Sequence, residues 1–263
     1  MMAEPTPPGA GRDPHFIGWL PMPRAYARFL TPVAAGLVVA SAVAAALIAR
    51  GQRSPGDGRW DDDQTKTFTG IVYSEPYAMI RVPGAQPGDP PATMLLVEEG
   101  KFGAKDRVRP FDGRQVRVTG TLLTREGWRM LELTPGEDGL RPADVSGTEL
   151  ARLRRPPPRL LGRVTLRGEI VDSKCYLGAM KPGGGRTHRA CAVLCLKGGI
   201  PPLFVSRSAS TDPSVYLLAG EDLGPVADSL LDLAGLPVVV EADVDRIDDV
   251  AVLRLAPRNA RAE

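Results

Sequence analysis

Ile71-Val72-Tyr73-Ser74-Glu75-Pro76-Tyr77 returns later in the chain as Ile170-Val171-Asp172-Ser173-Lys174-Cys175-Tyr176, with four of seven positions identical and an offset of 99. The echo continues downstream. Leu95-Leu96 matches Leu217-Leu218, and Gly113, Val116 and Val118 match Gly235, Val238 and Val240. Leu131, Leu133 and Pro135 match Leu253, Leu255 and Pro257. From Leu95 to Pro135 the offset stays at 122. A constant spacing over that length marks an internal duplication.

Each copy reads as short strands. Gln115-Val116-Arg117-Val118-Thr119-Gly120-Thr121 alternates apolar and polar residues with a period of two, as a half-buried strand does. Trp128 to Leu133 alternates less cleanly. About a dozen residues separate the Leu-Leu strand from the Gly-x-x-Val-x-Val strand. In the second copy, Val226, Leu230, Leu231 and Leu233 there suit one or two helical turns. Glycine (29) and proline (26) are frequent, which suits short strands with many turns and argues against a helical bundle. Strands, a short helix, then two more strands resemble the OB-fold, a five-stranded Greek-key barrel. The expected class is therefore mainly β, with two tandem OB-fold-like small barrels, each with a short helix. That pattern hosts many functions, so it implies no activity.

The expected domains are residues 66–135 and 161–258. Between them lies a Pro-rich linker, 136–160, in which Arg154-Arg155-Pro156-Pro157-Pro158-Arg159 favours an extended, semi-rigid spacer.

Pro32 to Ala49 is an uncharged run of 18 residues that ends at Arg50. It just reaches the length of a transmembrane helix. Upstream lies an N-terminal tail, 1–31, whose Phe16, Trp19, Tyr26 and Phe29 suit an aromatic belt. A polar linker, 50–65, follows. Small residues such as Ala44, Ala46 and Ala49 would permit cleavage, so a signal peptide competes with an uncleaved signal anchor. The long upstream segment favours the anchor. A buried soluble helix fits poorly with a run that is apolar on every face. Arg12, Arg24 and Arg28 precede the span, and Arg50, Arg53, Arg59 and Lys66 follow it. The positive-inside comparison is close to a tie. The exported look of the β domains places the C-terminal side outside the cytoplasm.

The chemistry concentrates in the second copy. The change of offset from 99 to 122 implies 23 extra residues between its first and second strands. All three cysteines, Cys175, Cys191 and Cys195, lie in or beside this insertion (about 175–200), with His188 among them. The first copy has neither residue type. Cys175 takes the position of Pro76. Thr187 suits an N-cap, and Arg189 to Lys197 suits a short helix stopped by Gly198-Gly199 and Pro201-Pro202. His188, Cys191 and Cys195 then share one helical face within about 60°.

Two readings stay open. Three thiols and an imidazole form a four-ligand set of the kind that holds zinc or copper. Alternatively, Cys175 forms a disulfide with Cys191 or Cys195, worth about 3 kcal/mol in the chain-entropy account, and leaves one thiol over. Cys191 with Cys195, one turn apart on a helix, is a poor disulfide geometry. Lys174, Lys181, Arg186, Arg189 and Lys197 surround the thiols in sequence and favour thiolate. His15 reads as a solvated tail residue. Met180 is a candidate soft ligand for copper(I), or simply packs on the barrel.

Other chemistries find no support. The formal charge of +2 gives no bulk attraction for nucleic acid. Gly183-Gly184-Gly185 lacks the phosphate-loop pattern. The Asp-rich stretches lack calcium-loop spacing. No Ser-His-Asp or paired-carboxylate arrangement stands out, so no catalytic residue is assigned.

The blocks Lys174-Cys175-Tyr176, His188-Arg189-Ala190-Cys191-Ala192 and Gly198-Gly199-Ile200-Pro201-Pro202 resemble a group of uncharacterised bacterial exported proteins with a membrane anchor. The match spans about thirty residues and implies a bacterial envelope setting without a known reaction. With the apolar span, the expected location is the inner membrane, single-pass, with periplasmic domains. The combined expectation is a membrane-anchored extracytoplasmic protein whose second barrel binds a transition metal or cycles a thiol pair. It would serve as an accessory or assembly subunit of a membrane redox complex. The contrasting expectations are a disulfide-stapled interaction module, and a barrel face that binds oligosaccharide or peptide along Tyr77 or Tyr176.

Overall fold

The computed structural model describes residues 24–51, 58–86, 88–143, 151–207 and 214–263. They fall into two units, divided after residue 54.

The second unit holds the strands. The first copy comprises β1 (Arg59–Tyr73), β2 (Met79–Val82), β3 (Ala92–Val97), β4 (Gln115–Arg125), β5 (Trp128–Leu133) and β6 (Leu140–Pro142). The second comprises β7 (Arg159–Asp172), β8 (Pro202–Ser206), β9 (Val215–Ala219), β10 (Pro237–Ile247), β11 (Val250–Arg254) and β12 (Ala260–Ala262). Strand order is β1-β2-β3-β5-β4, closed by β1 on β4, and then β7-β8-β9-β11-β10, closed by β7 on β10. Only β3–β5 and β9–β11 run parallel within these barrels. A short helix, Lys105–Val108 or Asp228–Leu231, precedes the fourth strand of each. These are two closed five-stranded barrels of the expected type. β6 and β12 add a short outer strand to β4 and β10.

The elements follow from the sequence pattern. Val116 and Val118 of β4 point inward and are fully buried, while Arg117 between them is exposed. Valine's branched side chain suits that pleated, half-buried surface. The equivalent Val238 and Val240 of β10 are fully buried too. Pairing keeps the 122-residue offset: Leu95 faces Met130, and Leu217 faces Val252.

The first strand corrects the sequence match. Val72 faces Ile80, and Met79 faces Leu95. Ile170 faces Phe204, and Leu203 faces Leu217. Tracing these ladders places Ile170, not Val171, at the position of Val72, an offset of 98 rather than 99. A one-residue slip would turn every side chain to the opposite face. Burial agrees, because Val72 and Ile170 each lie inside their own barrel core. The glycines agree as well. Gly70 faces Val116 and Gly168 faces Val238, and a Cβ on either would overlap a carbonyl of the next strand, that of Arg81 or Val205. Counted on from there, Cys175 stands at the position of Tyr77 rather than Pro76. The second strand matches at 124, so the insertion is 26 residues rather than 23.

Each barrel has its own core. Val72, Ile80, Leu96, Val118 and Leu131 fill the first; Ile170, Phe204, Leu218, Val240 and Leu253 fill the second. A further cluster belongs to both barrels. Met79, Leu95 and Met130 of the first pack with Leu203, Leu217 and Val252 of the second. These triplets are repeat equivalents, so the barrels meet through the same face in a pseudo-twofold manner. The segment expected as a spacer therefore joins two bodies that pack together. Its described C-terminal part is tied down: the Arg155 guanidinium lies 4.2 Å from the Tyr73 ring centroid, and the Arg155 amide donates to the Tyr73 hydroxyl at 2.7 Å.

Several expected boundaries shift. β1 begins at Arg59, inside the stretch expected as linker 50–65, and β6 and the first residues of β7 occupy the ends of 136–160. β12 extends the second barrel past residue 258.

Among the described residues, the first unit holds one helix, Arg24–Gly51. Its stretch Tyr26–Gly51 is long and apolar enough to cross a membrane, exceeding the 18 residues expected from 32–49. Tyr26 and Phe29 thus belong to the helix rather than to a tail. Pro32 lies inside it, and Thr31 Oγ1 donates to the Ala27 carbonyl at 2.7 Å. Arg12, His15, Phe16, Trp19 and Arg53 lie outside the described residues.

Candidate metal centre

The site begins where β7 ends. The buried Asp172 carboxylate accepts the Cys175 amide at 2.8 Å and so starts one wide turn, Cys175–Ala179. The helix of the insertion then runs Arg189–Lys197, as the spacing predicts. Its N-cap is His188 rather than Thr187, with no side-chain cap. Freed from capping, the His188 imidazole turns inward, and Nε2 lies 3.0 Å from Asp172 Oδ2.

The four residues selected from sequence converge. A ring nitrogen of His188 and the sulfurs of Cys175 and Cys191 all lie within 4.8 Å of one another. A carboxylate oxygen of Asp172 and the sulfurs of Cys175 and Cys195 do the same. Cys175 belongs to both groups and is therefore the hub. Asp172, Cys175, His188 and Cys195 are buried, while Cys191 is partly exposed and forms the mouth. All three cysteines are free thiols. The second barrel thus carries a Cys3His cluster able to hold a metal ion.

Two participants were not legible beforehand. Asp172 appears in sequence only as a member of the repeated segment, yet it anchors both the turn and the histidine. Lys101, in the first barrel, reaches the thiols: its Nζ donates to Cys191 Sγ at 2.8 Å and sits 3.6 Å from Cys195 Sγ. Three of the five bases expected to do this are engaged elsewhere. Lys174 pairs with Glu132 at 2.5 Å, Lys197 pairs with Asp232, and Arg189 donates to the Asp232 carbonyl. Met180 is half exposed rather than packed away.

Charge at the thiols is uneven. A hydrogen bond from the Cys175 thiol, together with the Lys101 ammonium, pulls Cys195 down to about 7, against the opposing effect of burial. The same bond to Cys195, desolvation and the Asp172 carboxylate push Cys175 far up. The proton stays on Cys175, and negative charge gathers at Cys195. The bond to Cys191 raises Lys101 and keeps it an ammonium. The reduced, metal-free protein should therefore gain one thiolate, seen as ultraviolet absorbance, as pH rises through about 7. Cys195→Ser should remove that step.

Tyr77 and Tyr176 do not line a groove. Both are buried. The Tyr77 hydroxyl accepts the Val226 amide at 3.1 Å, and the Tyr176 hydroxyl donates to the Glu126 carboxylate at 3.2 Å. The Arg125 guanidinium lies 3.9 Å from the Tyr176 ring centroid. These rings fasten one barrel to the other, which removes the basis for an oligosaccharide or peptide site along them.

Comparison with protein-family models, with curated proteins and with solved structures finds no match to this chain.

Proposed function

We propose that the second barrel binds one soft transition-metal ion, zinc or copper(I), through Cys175, His188, Cys191 and Cys195. The observation that carries the reading is the meeting of an imidazole with the thiols at Cys175, the residue common to both ligand groups. The donor set fits. Three sulfurs and one nitrogen satisfy a tetrahedral ion, and thiolates select soft metals. The surrounding contacts fit too. With Nε2–H donated to Asp172, the free lone pair of His188 lies on Nδ1, and a carboxylate-held histidine is a familiar support for a metal ligand. When bound, the ion would supply either a structural cross-link or a redox-active centre.

The apolar N-terminal helix supports single-pass anchoring in a membrane. We further infer that the barrels lie outside the cytoplasm of a bacterial inner membrane, beside a membrane redox complex that the protein assists or helps to assemble. What supports this is the resemblance of the cysteine-bearing blocks to membrane-anchored exported bacterial proteins and the soft-ligand character of the site. A second reading has its own support: the Cys175 and Cys195 sulfurs are free thiols within 4.8 Å of each other. An external disulfide could oxidise them to a Cys175–Cys195 disulfide, itself taking up the two electrons and two protons as it is reduced to thiols.

One preparation separates the readings. Full-length protein purified in detergent under reducing conditions should carry about one zinc or copper per chain by elemental analysis. Metal-free protein that forms a Cys175–Cys195 disulfide by mass spectrometry would instead favour the redox pair. Metal-free protein with three persistently free thiols would remove both.

A further inference from the structure

We propose that Lys101 is a positioning residue of the metal centre, so that the first barrel completes a site whose ligands all come from the second. The inference rests on the metal reading above and assigns one part of it.

The geometry is specific. One ammonium contacts two of the three sulfurs, Cys191 at 2.8 Å and Cys195 at 3.6 Å. Among the described residues it forms no ion pair with a carboxylate. Its position is fixed by backbone contacts. Glu98 donates to the Phe102 carbonyl at 2.9 Å, closing the loop that carries Lys101. Gly103 donates to the Gly198 carbonyl at 2.9 Å, joining the loop to the end of the helix that bears both thiols. Gly198 permits the approach, because a Cβ there would overlap the Lys101 carbonyl. The Lys174 ammonium donates to the Glu98 and Gly100 carbonyls at 3.0 and 2.7 Å, so the residue before Cys175 holds the same loop.

The charge is needed as well. Three thiolates and a neutral imidazole leave a net charge of −1 around a divalent ion and −2 around a monovalent one. A largely buried centre with excess negative charge is costly unless a cation faces it. A donor on a metal-bound sulfur also draws electron density from it, which moves sulfur-to-metal charge transfer to higher energy.

Cobalt(II) titration of full-length protein in detergent tests this, using wild type, Lys101→Met and Lys101→Arg. Wild type should bind one cobalt with a sulfur charge-transfer band. Lys101→Met should bind about ten- to a hundredfold more weakly, with the band at longer wavelength. Lys101→Arg should restore the band and most of the affinity. A Lys101→Met protein with wild-type affinity and band would overturn the assignment while leaving the metal reading intact. Weakened binding with an unmoved band and no rescue by arginine would mark a merely structural lysine and also overturn it. Wild-type protein with no sulfur band would remove both the assignment and the metal reading.

Discussion

Cys175→Ser should yield a folded chain that does not retain metal. Cys175 is the sulfur shared by both ligand groups, so its loss breaks each of them. A serine hydroxyl is close in size but stays protonated near neutral pH and is a hard donor, so it does not replace a thiolate. A four-ligand structural zinc site contributes roughly 10–16 kcal/mol, which makes one thiolate worth about 3 kcal/mol. At 1.4 kcal/mol per decade, affinity should fall by about a hundredfold or more. Dialysis against a chelator followed by elemental analysis reads the result directly. Wild type should keep its ion and Cys175→Ser should lose it. Melting gives an independent check. Metal stabilises the folded state by mass action, so chelator should lower the wild-type midpoint and leave that of Cys175→Ser unmoved. A Cys175→Ser protein with a full metal complement would place the ion elsewhere and end the four-ligand proposal.

The duplication could be read from sequence because barrel register is recorded in apolar alternation. Leu95, Val116, Val118 and Leu131 each face a core, and so do their counterparts 122 residues on. The first strand misled for a physical reason. The Ile-Val-x-Ser echo aligns at 99, but hydrogen-bonded pairing aligns at 98, and pairing decides which face each side chain takes. Short identity carries no information about which neighbour a residue pairs with. The helical stripe of His188, Cys191 and Cys195 was legible because helix geometry is local. Lys101 was not, because its contact with Cys191 exists only once the two barrels pack through equivalent faces. Asp172 sat within the quoted repeat, yet its role depends on the turn at Cys175 and on a histidine 16 residues away.

Lys174→Met should be strongly destabilising even though it removes no ligand. The Lys174 and Glu132 side chains are only 6% and 14% exposed, and they pair at 2.5 Å across the two barrels. Removing the cation alone strands a buried carboxylate and two carbonyls, at a cost of about 3–5 kcal/mol. For a body of this size each kcal/mol moves the midpoint by about 2–4 °C, so a thermal melt should shift down by about 6–20 °C. Lys174→Met with Glu132→Gln leaves no charge unpaired and should recover most of that loss, which a double-mutant cycle measures. Metal binding should not recover in step. The double variant still lacks the donor that holds the Glu98 and Gly100 carbonyls, so the loop bearing Lys101 loses its tie to the residue before Cys175. Restored melting with weakened cobalt binding would show that the Lys174 contact serves the centre as well as the fold. Recovery of both together would confine Lys174 to stability, and a single variant that melts like wild type would deny it even that role.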